Sequence, residues 1–579
     1  MPFLRVRWLS LSVVVAALVV SAMPQQNSTE VPAPSIRVTT RMVLVDVVVT
    51  DKKGHPVAGL HPDDFEIEEN GKAQKIASFN MPHETTSAPP LPPGFYSNRA
   101  EYRSPGGPVT VMLLDVINTA FSDQSYARRQ MLNFVRDQYK PEQRMAIFTL
   151  TGSLNVLQDF TSDPKILYAA LLRFQPQLQP QSVPGNSVIT QANPLTVNGV
   201  LANTEATTAP AADTGSTLSP ARAKQVASAQ VALQVFQDAQ SSYAEEQRTI
   251  LTLHALDSLA RILGGLPGRK NIIWVTGNLP FSLIPEDRTL SETELQEDLP
   301  SLQIHSGTAH AAGNYAATLR SSHGDDIRQT AARLASAQVA IYPVDARGLT
   351  ISNSNEAQGV MREMASETGG RAYVNQNEIK FGVERAFEDG SATYTLGYYP
   401  QNKKWDGNYR TIKVKVKHDG VEFQHRHGYY AFDPTQLKSY SPQQEVTSAL
   451  NDVVPSTMVA FTARALPASA NPAAGKVGID FLVDASTLSA EDSPGGKRLN
   501  VAFYATVFSP QGRMLAQRSQ KVDRSFTTDI YKQILEKGML LHIDIDDQPG
   551  DSQLRLAVQD NKTGLVGTLD FPLSASVTK

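Results

Sequence analysis

The chain has 579 residues, with 53 Lys and Arg against 57 Asp and Glu and a formal net charge of −4. That balance gives no electrostatic footprint for nucleic acid or an anionic membrane surface. Cysteine is absent, which excludes disulfides, thiolate metal sites, cysteine nucleophiles and a lipid-modified N-terminal cysteine. The length exceeds what one core supports, so about two to four domains are expected.

Residues 1–22 read as an export signal. Arg5 and Arg7 supply a positive start, Leu9 to Val20 an apolar run broken only by Ser10 and Ser12, and Ser21 and Ala22 a small-residue cleavage point. The run is shorter than the roughly 20 residues that span a bilayer, and no later stretch is long enough. The expectation is a secreted or periplasmic protein with no stable membrane span once the signal is cleaved.

Residues 36–80 alternate as strands do. Val43, Val45, Val47 and Val49 share one parity, and DFEIEENGKAQKIASF reads as two strands around an Asn70-Gly71 hairpin turn. The acidic pair Glu68-Glu69 reads as a solvated edge that discourages strand pairing. A linker rich in Pro and Ser, containing PPLPPG, is placed over 81–108.

From Val109 to about residue 390 strands alternate with helices. The strand-like runs are VTVMLLD (109–115), RMAIFTLTG (144–152), NIIWVTG (271–277), VAIYPVD (339–345) and RAYV (371–374). Helix-like segments lie at Ser122 to Tyr139, Asp163 to Phe174, Ala221 to Leu263, Asp325 to Ser336 and Glu356 to Thr368, with Gly369-Gly370 as a stop. Apolar runs without alternation imply strands covered on both faces. The predicted fold class is therefore α/β, a doubly wound, mostly parallel sheet flanked by β-sandwich-like modules. Two insertions, 175–220 and 280–318, interrupt it.

The segment 391–432 returns to strands, with Lys413, Lys415 and Lys417 alternating against Ile412, Val414 and Val416. It and 36–80 are each too small to bury a core, so they are expected to join around the inserted α/β domain. Residues 445–579 carry further strand patterns and read as a C-terminal β-sandwich.

The blocks VDVVVTDKKGHPVAGLHPDDFEIEENGKAQKIASF, LLDVINT, LPGRKNIIWVTG, VAIYPVDARGL, ETGGRAYVNQNEI and YTLGYYP occur in that order. In them the chain resembles the acidobacterial family of von Willebrand factor A (VWFA)-related domain proteins, over roughly residues 40–432. The resemblance implies a von Willebrand A-like α/β domain between β modules, and no catalytic activity. It also implies a place to look for an ion: a D-x-S-x-S loop, a Thr from a second loop and an Asp from a third, all hard oxygen ligands suited to Mg²⁺ or another divalent cation.

On this sequence the first Asp is Asp115 and the last Ser is Thr119, while the middle Ser falls on Ile117. Asn118 is an oxygen donor out of register. The third-loop pattern falls on Thr276, Gly277 and Asn278, without its Asp, and Thr249 or Thr252 is the second-loop candidate. The metal candidates are thus Asp115, Asn118 and Thr119, a degenerate set. The alternative for Asp115 is to cap the next helix or bond loop amides.

Asp345 ends another strand and reads as a rim carboxylate or as a turn element with Arg347. GGLPGRKN precedes a strand and lacks the G-K-[ST] ending, so it reads as a helix stop and not a phosphate loop. His425 and His427 alternate on one strand face, while His305 and His310 lie in the second insertion. No G-x-S-x-G or H-E-x-x-H motif is present.

The expected function is an exported, non-enzymatic binding or adhesion-like protein that uses the A-like domain for a protein or cell-surface ligand. The alternative is a structural or assembly component of the envelope without metal. A hydrolase acting through Asp115 comes third.

Overall fold

A computed structural model describes residues 42–81, 90–99, 102, 109–139, 144–177, 243–279, 281, 324–348, 355–375, 379–391, 393–433, 441–466, 476–546 and 552–572. The expected signal at 1–22, most of both insertions, and His305 and His310 lie outside the described residues.

The strand Val109–Asp115 is buried at every position and sits at the centre of a five-stranded sheet. The order across it is Val339–Asp345, Lys270–Thr276, Val109–Asp115, Arg144–Leu150 and Leu154–Thr161. The first four run parallel, in registers that align Asp115 with Leu150 and Asp345 with Thr276. A parallel bridge from Val344 to Tyr373 adds one further contact at the outer edge.

The apolar runs are explained by cover on both sides. On one face Val111 and Leu113 pack with Leu256 and Leu259 of the helix 243–263, Leu334 of the helix 324–336, and Met361 and Met364 of Asn355–Thr368. On the other, Met112 and Leu114 pack with Met131 and Phe134 of Phe121–Asp137, Leu167 of Pro164–Arg173, and Phe387 of Ile379–Ser391.

Three elements depart from the sequence reading; the first is the run 371–374, expected as a strand, which makes only the isolated bridge at Tyr373. Leu154–Thr161 is an antiparallel edge strand where none was expected; it is only half buried, so its sequence carries no sustained apolar run. Ile379–Ser391 is a helix that closes the second face before the chain returns to strands.

The segments before and after this domain share their sheets. One sheet orders Val421–Gln424, Val43–Asp51, Thr393–Tyr398 and Ile76–Asn80; the other orders Gly428–Tyr430, Tyr409–Val416, Phe65–Glu69 and Lys72–Gln74. Val45, Val47, Ile67, Leu396 and Ile412 meet in the core between them. The hairpin turn has positive φ at both Asn70 and Gly71, the backbone that matches a tight two-residue connection.

The C-terminal region also forms two sheets around one core. Phe95–Ser97, inside the expected linker, adds a strand to it by pairing with Phe461–Leu466. The long strand Gly496–Phe508 carries Met514–Thr527 on one side and Gln553–Asp560 on the other.

Both β assemblies meet the α/β domain at the amino-terminal end of its sheet. Gln338, just before Val339–Asp345, donates to Asp46 at 2.9 Å. Gly369 lies against the backbone of Arg426, where a Cβ would stand 2.9 Å from its nitrogen, and Gly369 has φ +77°. At Gly265 a Cβ would fall 1.7 Å from the Thr457 carbonyl oxygen, so only glycine admits the C-terminal chain so closely.

Glu69 is not the solvated edge that its sequence neighbourhood indicates. It is 3% exposed, 3.4 Å from the Arg410 guanidinium, and accepts hydrogen bonds from Tyr398 and Tyr429 at 2.8 Å each. Glu68 alone plays the surface role, paired with Lys415 at 2.9 Å. Removing one member of a buried pair strands the other's charge, so Glu69→Leu is expected to lower unfolding stability by about 3–5 kcal/mol. Urea denaturation at neutral pH measures it; a loss no larger than that of Glu68→Ala contradicts the account.

Candidate functional site

The four parallel strands end together at Asp115, Leu150, Thr276 and Asp345. In such sheets the loops beyond the carboxyl ends form the ligand-facing rim. After Asp115 the chain bends toward its neighbour: the Val116 and Ile117 amides both donate to the Leu150 carbonyl, at 3.0 and 3.2 Å. Ile117 turns inward to the core, and the helix Phe121–Asp137 begins after Ala120 with no side-chain cap. Asp115 therefore does not cap that helix. It bonds the loop.

The Asp115 carboxylate is 2% exposed and lies among donors from two segments, its own loop and the strand Lys270–Thr276. Oδ1 accepts from the Asn118 backbone amide at 3.1 Å. Oδ2 accepts from Asn118 Nδ2 at 2.9 Å and from Trp274 Nε1 at 3.0 Å. The Thr276 hydroxyl is 2.9 Å from the same oxygen and 2.7 Å from the Asn278 carbonyl, so one proton serves two acceptors. Burial pushes the carboxyl up to about 6, while the bonds from Asn118, Thr276 and Trp274 pull it back.

Of the two second-loop candidates, Thr252 reaches the site. Its hydroxyl donates to the Arg248 carbonyl at 2.7 Å and accepts from Asn118 Nδ2 at 3.2 Å. Thr249 sits about one turn earlier and donates to the Glu245 carbonyl at 3.0 Å. Thr119 accepts from the Gly277 amide at 2.9 Å, and Gly277 lies so close to Asn118 and Thr119 that a Cβ would stand 3.1 Å from the Asn118 carbonyl oxygen. The structure thus gathers Asp115, Asn118, Thr119, Thr252, Thr276 and Gly277.

As arranged, this set does not fit a divalent ion. Three protein donors converge on Asp115 Oδ2 and one reaches Oδ1, so Oδ2 has no lone pair left for an ion. Asn118 turns its nitrogen, not its oxygen, into the centre. Among the described residues no group of three or more His, Asp or Glu is placed to hold a metal.

The other rim carboxylate, Asp345, is also engaged. Arg347 donates to it from its backbone at 3.0 Å and from Nε and Nη2 at 2.8 Å each. His425 and His427 stand with ring centres 6.2 Å apart, His425 against the Arg426 carbonyl and His427 4.0 Å from Glu367.

Trp274 and Gln124 are the site residues that motif reading missed. A tryptophan in an apolar strand must place its N–H on an acceptor; both neighbouring strands end in an Asp, and Trp274 takes Asp115. Gln124 is buried in the first turns of Phe121–Asp137. Its amide donates to the carbonyls of Val116 and Thr119, at 3.2 and 2.8 Å, and its oxygen accepts from the Gln177 amide at 3.0 Å.

The raised Asp115 carboxyl has a pH signature. The folded chain holds this proton more tightly than the unfolded chain, whose carboxyl has its ordinary value of 3.8. Its contribution is fully present below about pH 4 and is lost as pH rises toward about 6. The stability difference between wild type and Asp115→Asn should therefore shrink across that window and stay flat above it. Parallel stability–pH curves from urea melts would contradict this.

No family model matches the chain, and no curated protein matches it by sequence. Among solved structures it is similar to an aerotolerance-related membrane protein from Bacteroides fragilis, at 13% identity and TM-score 0.23, covering 48% of this chain and 98% of that one. It is also similar to a von Willebrand factor type A protein from Catenulispora acidiphila, at 8% identity and TM-score 0.20, covering 90% and 73%. A third is the pilus adhesin SpaC from Lactobacillus rhamnosus GG, at 9% identity and TM-score 0.22, covering 90% of this chain and 59% of that one. Likenesses at these scores carry no argument about activity or partner. Among the described residues no helix is long and apolar enough to cross a membrane.

Proposed function

We propose that the chain is an exported, non-catalytic binding protein built on a doubly wound, von Willebrand A-like sheet. Its carboxyl-end loops would meet a protein or cell-surface ligand. One observation carries this reading: both β assemblies pack at the amino-terminal end of the sheet, through contacts such as Gln338 to Asp46 and Gly265 to Thr457. At the opposite end the Asp115 loop bonds Leu150, Gly277 and Gln124, all within the α/β domain. Phe121, 47% exposed, and Asn278, also exposed, stand there beside the Asp115 loop.

A second reading, an assembly component that makes its contacts through β structure, is favoured by Met514–Thr527. That strand has 14 residues, is mostly exposed, and pairs along its length with Gly496–Phe508. An edge strand of this kind is a template for further pairing.

The two readings separate by site-specific photocrosslinking in the native envelope. Photoreactive residues at Phe121, Ser153 and Asn278 probe the rim, and those at Arg518 and Lys521 probe the exposed ribbon. The binding reading expects a discrete adduct from rim positions and none from the ribbon. Adducts confined to the ribbon would overturn it in favour of assembly.

A further inference from the structure

We propose that the side-chain amide of Asn118 takes the place of a bound cation at Asp115, so that the rim is assembled without a divalent ion. The argument starts from what an ion does in such a place. It draws together oxygen ligands that belong to separate segments and offsets the charge of a buried carboxylate. Asn118 Nδ2 does the first directly, with its two N–H groups directed to Asp115 Oδ2 at 2.9 Å and Thr252 Oγ1 at 3.2 Å. Those oxygens come from the end of the central strand and from the helix 243–263, elements 134 residues apart between Asn118 and Thr252.

The amide orientation follows from the acceptors. Thr252 spends its own proton on the Arg248 carbonyl, so it presents a lone pair. Turning the amide over would set an oxygen against that lone pair and against the carboxylate. The second function, offsetting charge, is spread over the three remaining donors: the Asn118 backbone amide, the Trp274 indole and the Thr276 hydroxyl. Hydrogen bonds to an ionised acceptor are the strong kind, and with the Asn118 side chain three of them converge on Oδ2. The same economy holds at Asp345, whose positive partner is Arg347 of its own turn.

Substituting position 118 should convert the amide's place into an ion's place. Asn118→Asp sets a second carboxylate about where Nδ2 lies, beside Asp115 and the Thr252 hydroxyl, a hard-oxygen set for a divalent ion. Asn118→Ser removes the amide and leaves a hydroxyl ligand and space. The experiment is thermal melting and isothermal titration of the purified full chain with millimolar Mn²⁺ or Mg²⁺.

Wild type is expected to show no shift in melting temperature. Both variants are expected to gain an ion-dependent rise, because a ligand of the folded state stabilises it, and to bind Mn²⁺ at least roughly tenfold tighter than wild type. If Asn118→Asp does not fold, Asn118→Ser alone decides. A wild-type shift that Asp115→Asn abolishes overturns the proposal. So does insensitivity of folded variants to both ions. Neither outcome depends on whether the rim has a partner, so this test and the crosslinking test fail separately.

Discussion

Arg261 and Asp452 form a buried ion pair that the rest of the architecture depends on. The guanidinium Nε lies 2.7 Å from Oδ2 and Nη2 lies 3.0 Å from Oδ1, with the Ser258 hydroxyl donating to Oδ1 at 2.6 Å. Such a pair is a weak source of net stability but a demanding one to break, because each charge stranded alone is costly. It therefore acts as an orientation lock between the last turns of the helix 243–263 and the entry to the C-terminal sheets. Arg333, between Asp257 and Glu445, repeats the arrangement on the neighbouring helix. Arg269, bonded to Tyr342, Asn271 and the Gly369 carbonyl, braces the loop whose Gly369 packs on Arg426 of the β module.

These arginines share one end of the sheet. The chain has concentrated its buried cations where the three bodies join and has left the Asp115 loop to be held by neutral donors, while Asp345 at the same end takes Arg347 of its own turn. That division explains the unusual state of Asp115. No cation is among the groups that act on it; indole, hydroxyl and amide hold it instead, and burial lifts its proton affinity. At the junction a stranded charge would separate domains. At the rim it sets the shape of a loop.

Much of this was legible in the residues. Unalternating apolar runs at 109–115, 271–277 and 339–345 report burial on both faces; the alternating valines at 43, 45, 47 and 49 do share one core, but Asp46 and Val48 of the other parity are buried as well. Asp115, Thr119 and Thr276 were placed by the pattern that the resemblance implies, which left Thr249 and Thr252 as equal candidates; only the fold shows that Thr252 is the one bonded to Asn118. Glu69 was legible and was misread: alternation puts it on the face of Phe65 and Ile67, which are both buried, and its acidity hid that. Its partners could not be read at all, since Tyr398, Arg410 and Tyr429 lie more than 320 residues away. Leu154–Thr161 was missed because an edge strand needs no apolar face. The direction of the Asn118 amide was likewise illegible, because it is decided by which oxygens already have protons to give.

The last point bears on how a site of this kind changes. A carboxylate at the end of a central strand is an acceptor in search of positive partners, and the backbone supplies only one of them here. The remainder must come from an ion or from side chains that reach across. Position 117, occupied by Ile, was diverted into the core between the sheet and the helix 243–263, where it adds apolar packing that a ligand could not. With that position given to the core, the next residue is the one near enough to bridge to Thr252. An amide there satisfies two oxygens at once, holds the loop against Gly277, and makes the geometry of the rim a property of the chain alone.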